Sequence, residues 1–142
     1  MGREQHSLNL DYIRRLYAPQ DALLDAIGQS LPTDVASWQV APEEAKLLQL
    51  ILKMHAVKTI VEVGTLAGYS AICMARALPH DGHLYTIGKD KAHCELARRF
   101  ISESDVANRI TLLEGDAHAM LPTLNANAPL DMIFIDADKI SY

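Results

Sequence analysis

From Lys58 onward, strand and helix patterns alternate, and the predicted fold class is therefore α/β: a doubly wound parallel sheet preceded by N-terminal helices. Two further observations point the same way. Thr59 to Ser70 reads TIVEVGTLAGYS, a β-branched apolar run that stops at a glycine and turns directly into a helical pattern. Only four strand patterns occur, and the last, LDMIFID, is apolar enough to require neighbours on both sides. The expectation is a single, incomplete domain over residues 1–142, part of a longer protein. Residues 1–57 form its N-terminal helices and residues 58–142 a β-α-β-α-β-α-β core.

The 142 residues suffice for one domain with a genuine core and are too few for two. With 49% apolar and 22% charged residues, the composition is that of an ordinary globular chain. A formal charge of −5 argues against a broad nucleic-acid surface. Cys73 and Cys94 both fall in helical patterns and read as buried thiols of a reducing compartment. No apolar run reaches membrane-spanning length, and the polar MGREQHSLN start lacks signal-peptide character, so the expected location is cytoplasmic.

Residues 1–10 are expected to be loosely held. Tyr12, Leu16, Leu23, Leu24 and Ile27 set a helical pattern over Asp11–Ile27, interrupted near Pro19 and closed by Gly28 to Pro32. Asp34–Val40 reads as a connector. Pro42 suits a first helical position, with Glu43 and Glu44 in the first turn. Leu47, Leu50, Ile51 and Met54 then predict a helix with that face on the core. Lys58–Val63 is the first strand and Tyr69–Leu78 the next helix. Asp81-Gly82 turns the chain into a strand over His83–Ile87. Asp90 caps a helix to about Ser102, with Cys94, Ala97, Phe100 and Ile101 inward. Arg109–Leu113, Ala117–Leu124 and Leu130–Ile135 supply a strand, a short helix weakened by Pro122, and the fourth strand.

Four carboxylates fall at or near the carboxyl ends of these strands: Glu62, Asp90, Asp116 and Asp136. Asp90 and Asp116, taken singly, read as helix caps. Glu62 lies inside an apolar strand, where a carboxylate needs a partner, and it suits a ligand carrying positive charge. The spacing Glu-x-Gly-x-x-x-Gly differs from the dinucleotide fingerprint. Asp136-Ala137-Asp138-Lys139 places two carboxylates and an amine directly after a buried strand. An Asp there can hold a hard divalent cation, and the lysine can act as a general base. The histidines do not converge; only His118 lies at the rim. Tyr69 and Ser70 open a helix where a ligand would sit, although a core ring and a helix-start hydroxyl explain them equally well.

VEVGTLAGYSA, LYTIGKD, ITLLEGDAHAMLP and DMIFIDADKISY, in this order, resemble the S-adenosylmethionine-dependent O-methyltransferases of the caffeoyl-CoA and catechol type. WQVAPEEAKLL resembles the segment preceding the first strand in that family, so the likeness covers roughly residues 35–142. It implies a Rossmann-like class I methyltransferase fold, of which only the first four strands are present. It also implies that Glu62, Gly64, Tyr69 and Ser70 surround the methionine part of the donor, with Val40 against it. Asp116, Ala117 and His118 would hold the adenine end. Asp136 would face the donor's amino group and ligate a divalent cation, usually magnesium, and Lys139 would be the base. The expected acceptor is a hydroxylated, catechol-like aromatic, and the expected assembly a homodimer.

The sequence departs from that pattern twice. Gly88 stands where the family has an acid holding the ribose hydroxyls, with Asp90 two residues on as a partial substitute. The Asp-Asn pair that completes the family's metal site is not among these residues, so this stretch alone is expected to be inactive. Three alternatives stay open: a non-catalytic donor-binding module, a tRNA hydroxyuridine methyltransferase, and a nicotinamide-dependent oxidoreductase.

Overall fold

The structure, a computed structural model, describes residues 2–124 and 129–137. Four helices come first: α1 (Gly2–Tyr17), α2 (Ala22–Ser30), α3 (Thr33–Ala36) and α4 (Pro42–Met54). The alternating part follows as β1 (Thr59–Val63), α5 (Tyr69–Ala77), β2 (His83–Gly88), α6 (Lys91–Glu103), β3 (Ile110–Glu114), α7 (Ala117–Met120) and β4 (Met132–Ile135). Helix α1 begins at Gly2, within the stretch expected to be loosely held. Pro19 does break the pattern, and Asp21 caps α2 by accepting the Leu24 N–H at 2.9 Å. Helix α2 ends at Ser30, within the Gly28 to Pro32 stretch expected to close it. The connector contains the single turn α3.

All four strands are parallel, in the order β3-β2-β1-β4. The register aligns Ile60 with Leu84 and with Met132, and Leu84 with Ile110, so these side chains share one face. Residues of α2, α4, α5 and α6 join them in a continuous apolar cluster. Helix α5 lies at its centre: Ala71, Ile72, Met74 and Ala75 are all fully buried. Each of the larger two contributes roughly 1.5–3 kcal/mol relative to an exposed side chain. On the opposite face Ile133 and Ile135 of β4 are more than half exposed.

Helix α4 lies where expected but presents a different face. Leu47, Ile51 and Met54 point outward, with Met54 81% exposed, whereas Ala45 and Leu52 are buried and Leu48 packs on the core. Helix α4 packs against α5, and Gln49 Nε2 donates to the Cys73 carbonyl at 2.7 Å. Arg14 reaches from α1 to α4 and grips Glu43 with two bonds, of 2.7 and 2.9 Å.

One side chain ties the two ends of the fold's middle together. Asp131, just before β4, accepts the N–H groups of Lys58 (2.8 Å) and Thr59 (2.9 Å) at the start of β1. These bonds hold its carboxyl below the usual range. A folded-state pKa below the unfolded one gives stability that is present above the unfolded value and lost as pH falls through the folded one. Asp131→Ala should therefore lower the melting temperature at pH 7. That difference should shrink on acidification below the ordinary aspartate value of 3.8, as followed by thermal denaturation across pH.

Candidate active site

The strand order reverses between β1 and β4, since β2 and β3 lie on one side of β1 and β4 on the other. In open parallel sheets, ligands bind in the crevice outside the carboxyl ends of strands at such a reversal. Backbone bonds continue past the strand ends here. Gly64 N–H reaches the Ile87 carbonyl at 2.9 Å, Asp136 N–H the Val63 carbonyl at 2.9 Å, and Gly115 N–H the Gly88 carbonyl at 2.8 Å. Gly64, Gly88, Asp116 and Asp136 are thus brought to one edge.

Glu62 is fully buried. Ser70, in the first turn of α5, donates to its Oε1, and Thr86 of β2 donates to its Oε2 at 2.6 Å. Thr86 lies directly opposite Glu62 in the strand register. Having given its one proton to the carboxylate, the Thr86 hydroxyl accepts from Thr65, the next member of the chain. Burial pushes the Glu62 carboxyl up to about 7; the Ser70 and Thr86 hydroxyls oppose that rise, and the negative charge of Asp136 adds to it. Thr65 and Thr86 were missed in the sequence, where their only signal is a polar residue in an otherwise apolar strand or turn.

The turn between β1 and α5 is bent hard. Gly64 has φ +106°, Leu66 +43° and Gly68 +84°. A Cβ on Gly64 would lie 2.1 Å from the Asp136 carbonyl oxygen. The missing side chain admits the β4 backbone at this point. Gly68 similarly lies against Ala97 and Ile101 of α6. Leu66, a non-glycine in the left-handed region, marks strain of the kind that collects at functional turns.

The remaining candidates divide. Tyr69 is buried, and its hydroxyl donates to Gln20 Oε1 at 2.6 Å. Its side chain lines a small cavity of about 130 Å³ with Pro19, Gln49 and Cys73. Asp90 caps α6 through the His93 N–H at 2.8 Å, and Asp116 caps α7 through the His118 N–H at 2.9 Å. Ala117 is half-buried beside Asp116, and His118 is exposed. Val40 is half-buried and packs on the core ahead of α4. Lys139 and Asp138 lie outside the described residues. Among the described residues no three His, Cys, Asp or Glu side chains gather as a metal set. Asp136 alone offers too few oxygens to hold a hard cation.

This architecture has close counterparts among solved structures. It superposes on the O-methyltransferase TomG from Streptomyces achromogenes, solved in complex with SAM, with a TM-score of 0.82 and 36% identity, covering 90% of this chain and 59% of that one. An O-methyltransferase from Bacillus cereus, solved with SAH, gives 0.82 at 32% identity, covering 91% and 60%. The fold is that of the Rossmann-like, class I methyltransferases. Among relatives, a catechol O-methyltransferase of Niastella koreensis is 41% identical over 124 residues, 86% of this chain and 56% of its own length. A caffeoyl-CoA O-methyltransferase of Populus kitakamiensis is 34% identical over 118 residues, 81% of this chain and 46% of its own. The O-methyltransferase family profile matches residues 21–142, and the chain belongs to that family. It spans about half the length of the curated relatives it matches.

Proposed function

We propose that the full-length protein transfers a methyl group from S-adenosylmethionine to a hydroxyl of a catechol-like small molecule. The observation that carries this reading is the meeting of Gly64 and Asp136 at the β1/β4 reversal, with the Glu62–Ser70 pair beneath them. The acceptor oxygen attacks the sulfonium methyl, the carbon–sulfur bond breaks towards sulfur, and a thioether is left. The acceptor proton must go to a base.

This chain's residues bind and orient. The exposed Asp136 carboxylate faces the donor's amino group. The first N–H groups of α5, the backbone N–H of Ser70 among them, face its carboxylate, and a helix N-terminus favours that charge. Asp116, Ala117 and His118 lie towards the adenine, and Val40 against the donor. Glu62, with both oxygens taken by hydroxyls, acts through Ser70 instead of touching the ligand. Lys139 is the proposed base. The resemblance assigns Asp136 a second role, as one ligand of a divalent cation, magnesium. A homodimer in the cytoplasm completes the reading; for location, the supporting fact is that no helix among the described residues is long and apolar enough to cross a membrane.

Calorimetry tests it. Heat with S-adenosylmethionine and S-adenosylhomocysteine, and none with NAD, is the expected result. Asp136→Ala should weaken donor binding by roughly tenfold or more, the worth of a charge-assisted bond. Heat with NAD alone overturns the reading. In the full-length protein with magnesium, donor binding without methylation of a catechol would favour a non-catalytic module.

A further inference from the structure

The end of β2 is closed to any side chain, and we propose that this protein consequently recognises its nucleoside without using the ribose hydroxyls. The inference rests on the donor reading above. In doubly wound folds an acidic residue following the second strand receives a ribose hydroxyl of the bound nucleotide. That place here belongs to Gly88. A Cβ built on it would lie 2.6 Å from Cys94 Sγ and 2.8 Å from Thr65 Cγ2, both closer than real contacts allow. Its φ lies outside the left-handed region, so space and not backbone conformation demands the glycine.

Neither neighbour yields easily. Cys94, on the inward face of α6, is fully buried, and Thr65 is 2% exposed with its hydroxyl committed to Thr86. A thiol and a methyl thus fill the volume that a side chain at position 88 would need, and a thiol is a weak partner for hydroxyls. The carboxylates nearest in sequence already have partners. Asp90 caps α6, Glu114 accepts from Arg98 at 2.6 Å, and Asp116 caps α7 with Lys89 Nζ 3.7 Å from its other oxygen. The rim above β2 is therefore shaped by packing, whereas the rim above β1 and β4 carries buried and exposed carboxylates. Affinity for the donor comes from its amino acid and adenine ends.

The test is calorimetric titration of the full-length protein with S-adenosylhomocysteine and with its 2′-deoxy and 3′-deoxy analogues. The three dissociation constants should agree within about threefold, whereas a carboxylate–hydroxyl bond would separate them by roughly tenfold or more. A tenfold loss for either analogue overturns the proposal and leaves the donor reading standing. Absence of heat with S-adenosylhomocysteine itself overturns both. A second arm installs the missing group: Gly88→Asp together with Cys94→Ala and Thr65→Ser, the last keeping the hydroxyl that Thr86 accepts. This variant should prefer the intact ribose by roughly tenfold. Equal affinities in a variant whose circular dichroism matches the parent would remove Gly88 as the determinant.

Discussion

Gly64→Ala is expected to destabilise the protein by about 3–5 kcal/mol, the range reached when a change forces backbone apart at a strained φ. Two costs combine. The backbone at φ +106° disfavours any L side chain, and the new methyl would meet the Asp136 carbonyl at 2.1 Å. Relief requires β4 to move off β1, which breaks the Asp136 N–H bond to Val63 and opens the rim. Urea denaturation should show a large fall in midpoint, and donor binding should fall with it. Gly28→Ala serves as the control. That glycine lies inside α2 with its nearest foreign atom, Gln39 Nε2, at 3.9 Å and no positive φ. Alanine there should stabilise by about 0.5–1 kcal/mol. Equal effects from the two substitutions would refute the account of the β1–β4 junction.

The second large effect is a pH dependence centred on Glu62. Burial raises its carboxyl from 4.5 to about 7. A raised folded-state pKa means that the native protein holds more protons than the unfolded chain between those values. Stability is then full below 4.5, declines as pH rises through the window, and levels off above about 7. A shift of this size corresponds to roughly 3 kcal/mol. Glu62→Gln removes the titration while leaving an oxygen for a hydroxyl. Its stability relative to the parent should improve as pH rises from 5 to 8. Parallel stability curves for the two proteins over that range would show that Glu62 does not titrate there.

Much of the fold was legible because α6 and β1 state their roles in local chemistry. Asp90 followed by Cys94, Ala97, Phe100 and Ile101 reads as a capped helix with one apolar face, and all four of those side chains are buried. The reversal was implied by four alternating strands. Helix α4 misled because its most apolar stripe is not the one it buries. Pattern reading weighs hydrophobicity, whereas the face turned to the core carries Ala45, Leu48 and Leu52 and leaves Leu47 and Met54 outside. At the site, Glu62, Gly64 and Asp136 were visible as a set. For Tyr69, sequence spacing gives a helix position but not the direction of a ring whose hydroxyl pairs with Gln20. Thr86 was invisible for a different reason. Its place opposite Glu62 depends on the register of two parallel strands, which the long connection through α5 sets and local pattern does not reveal.

The pairing of β1 with β4 joins residues as distant as Ile60 and Met132, while β1 meets β2 across a far shorter stretch. During synthesis, β1, β2, β3 and the helical layer leave the ribosome before β4 exists to complete the crevice. A nucleoside that bridges Asp136 and the start of α5 would then act as a latch on the last-arriving strand. At a hundred times its dissociation constant it would hold that strand in place by about 2.7 kcal/mol. Nascent chains made in abundant donor should accordingly lose β4 to proteases more slowly than chains made without it.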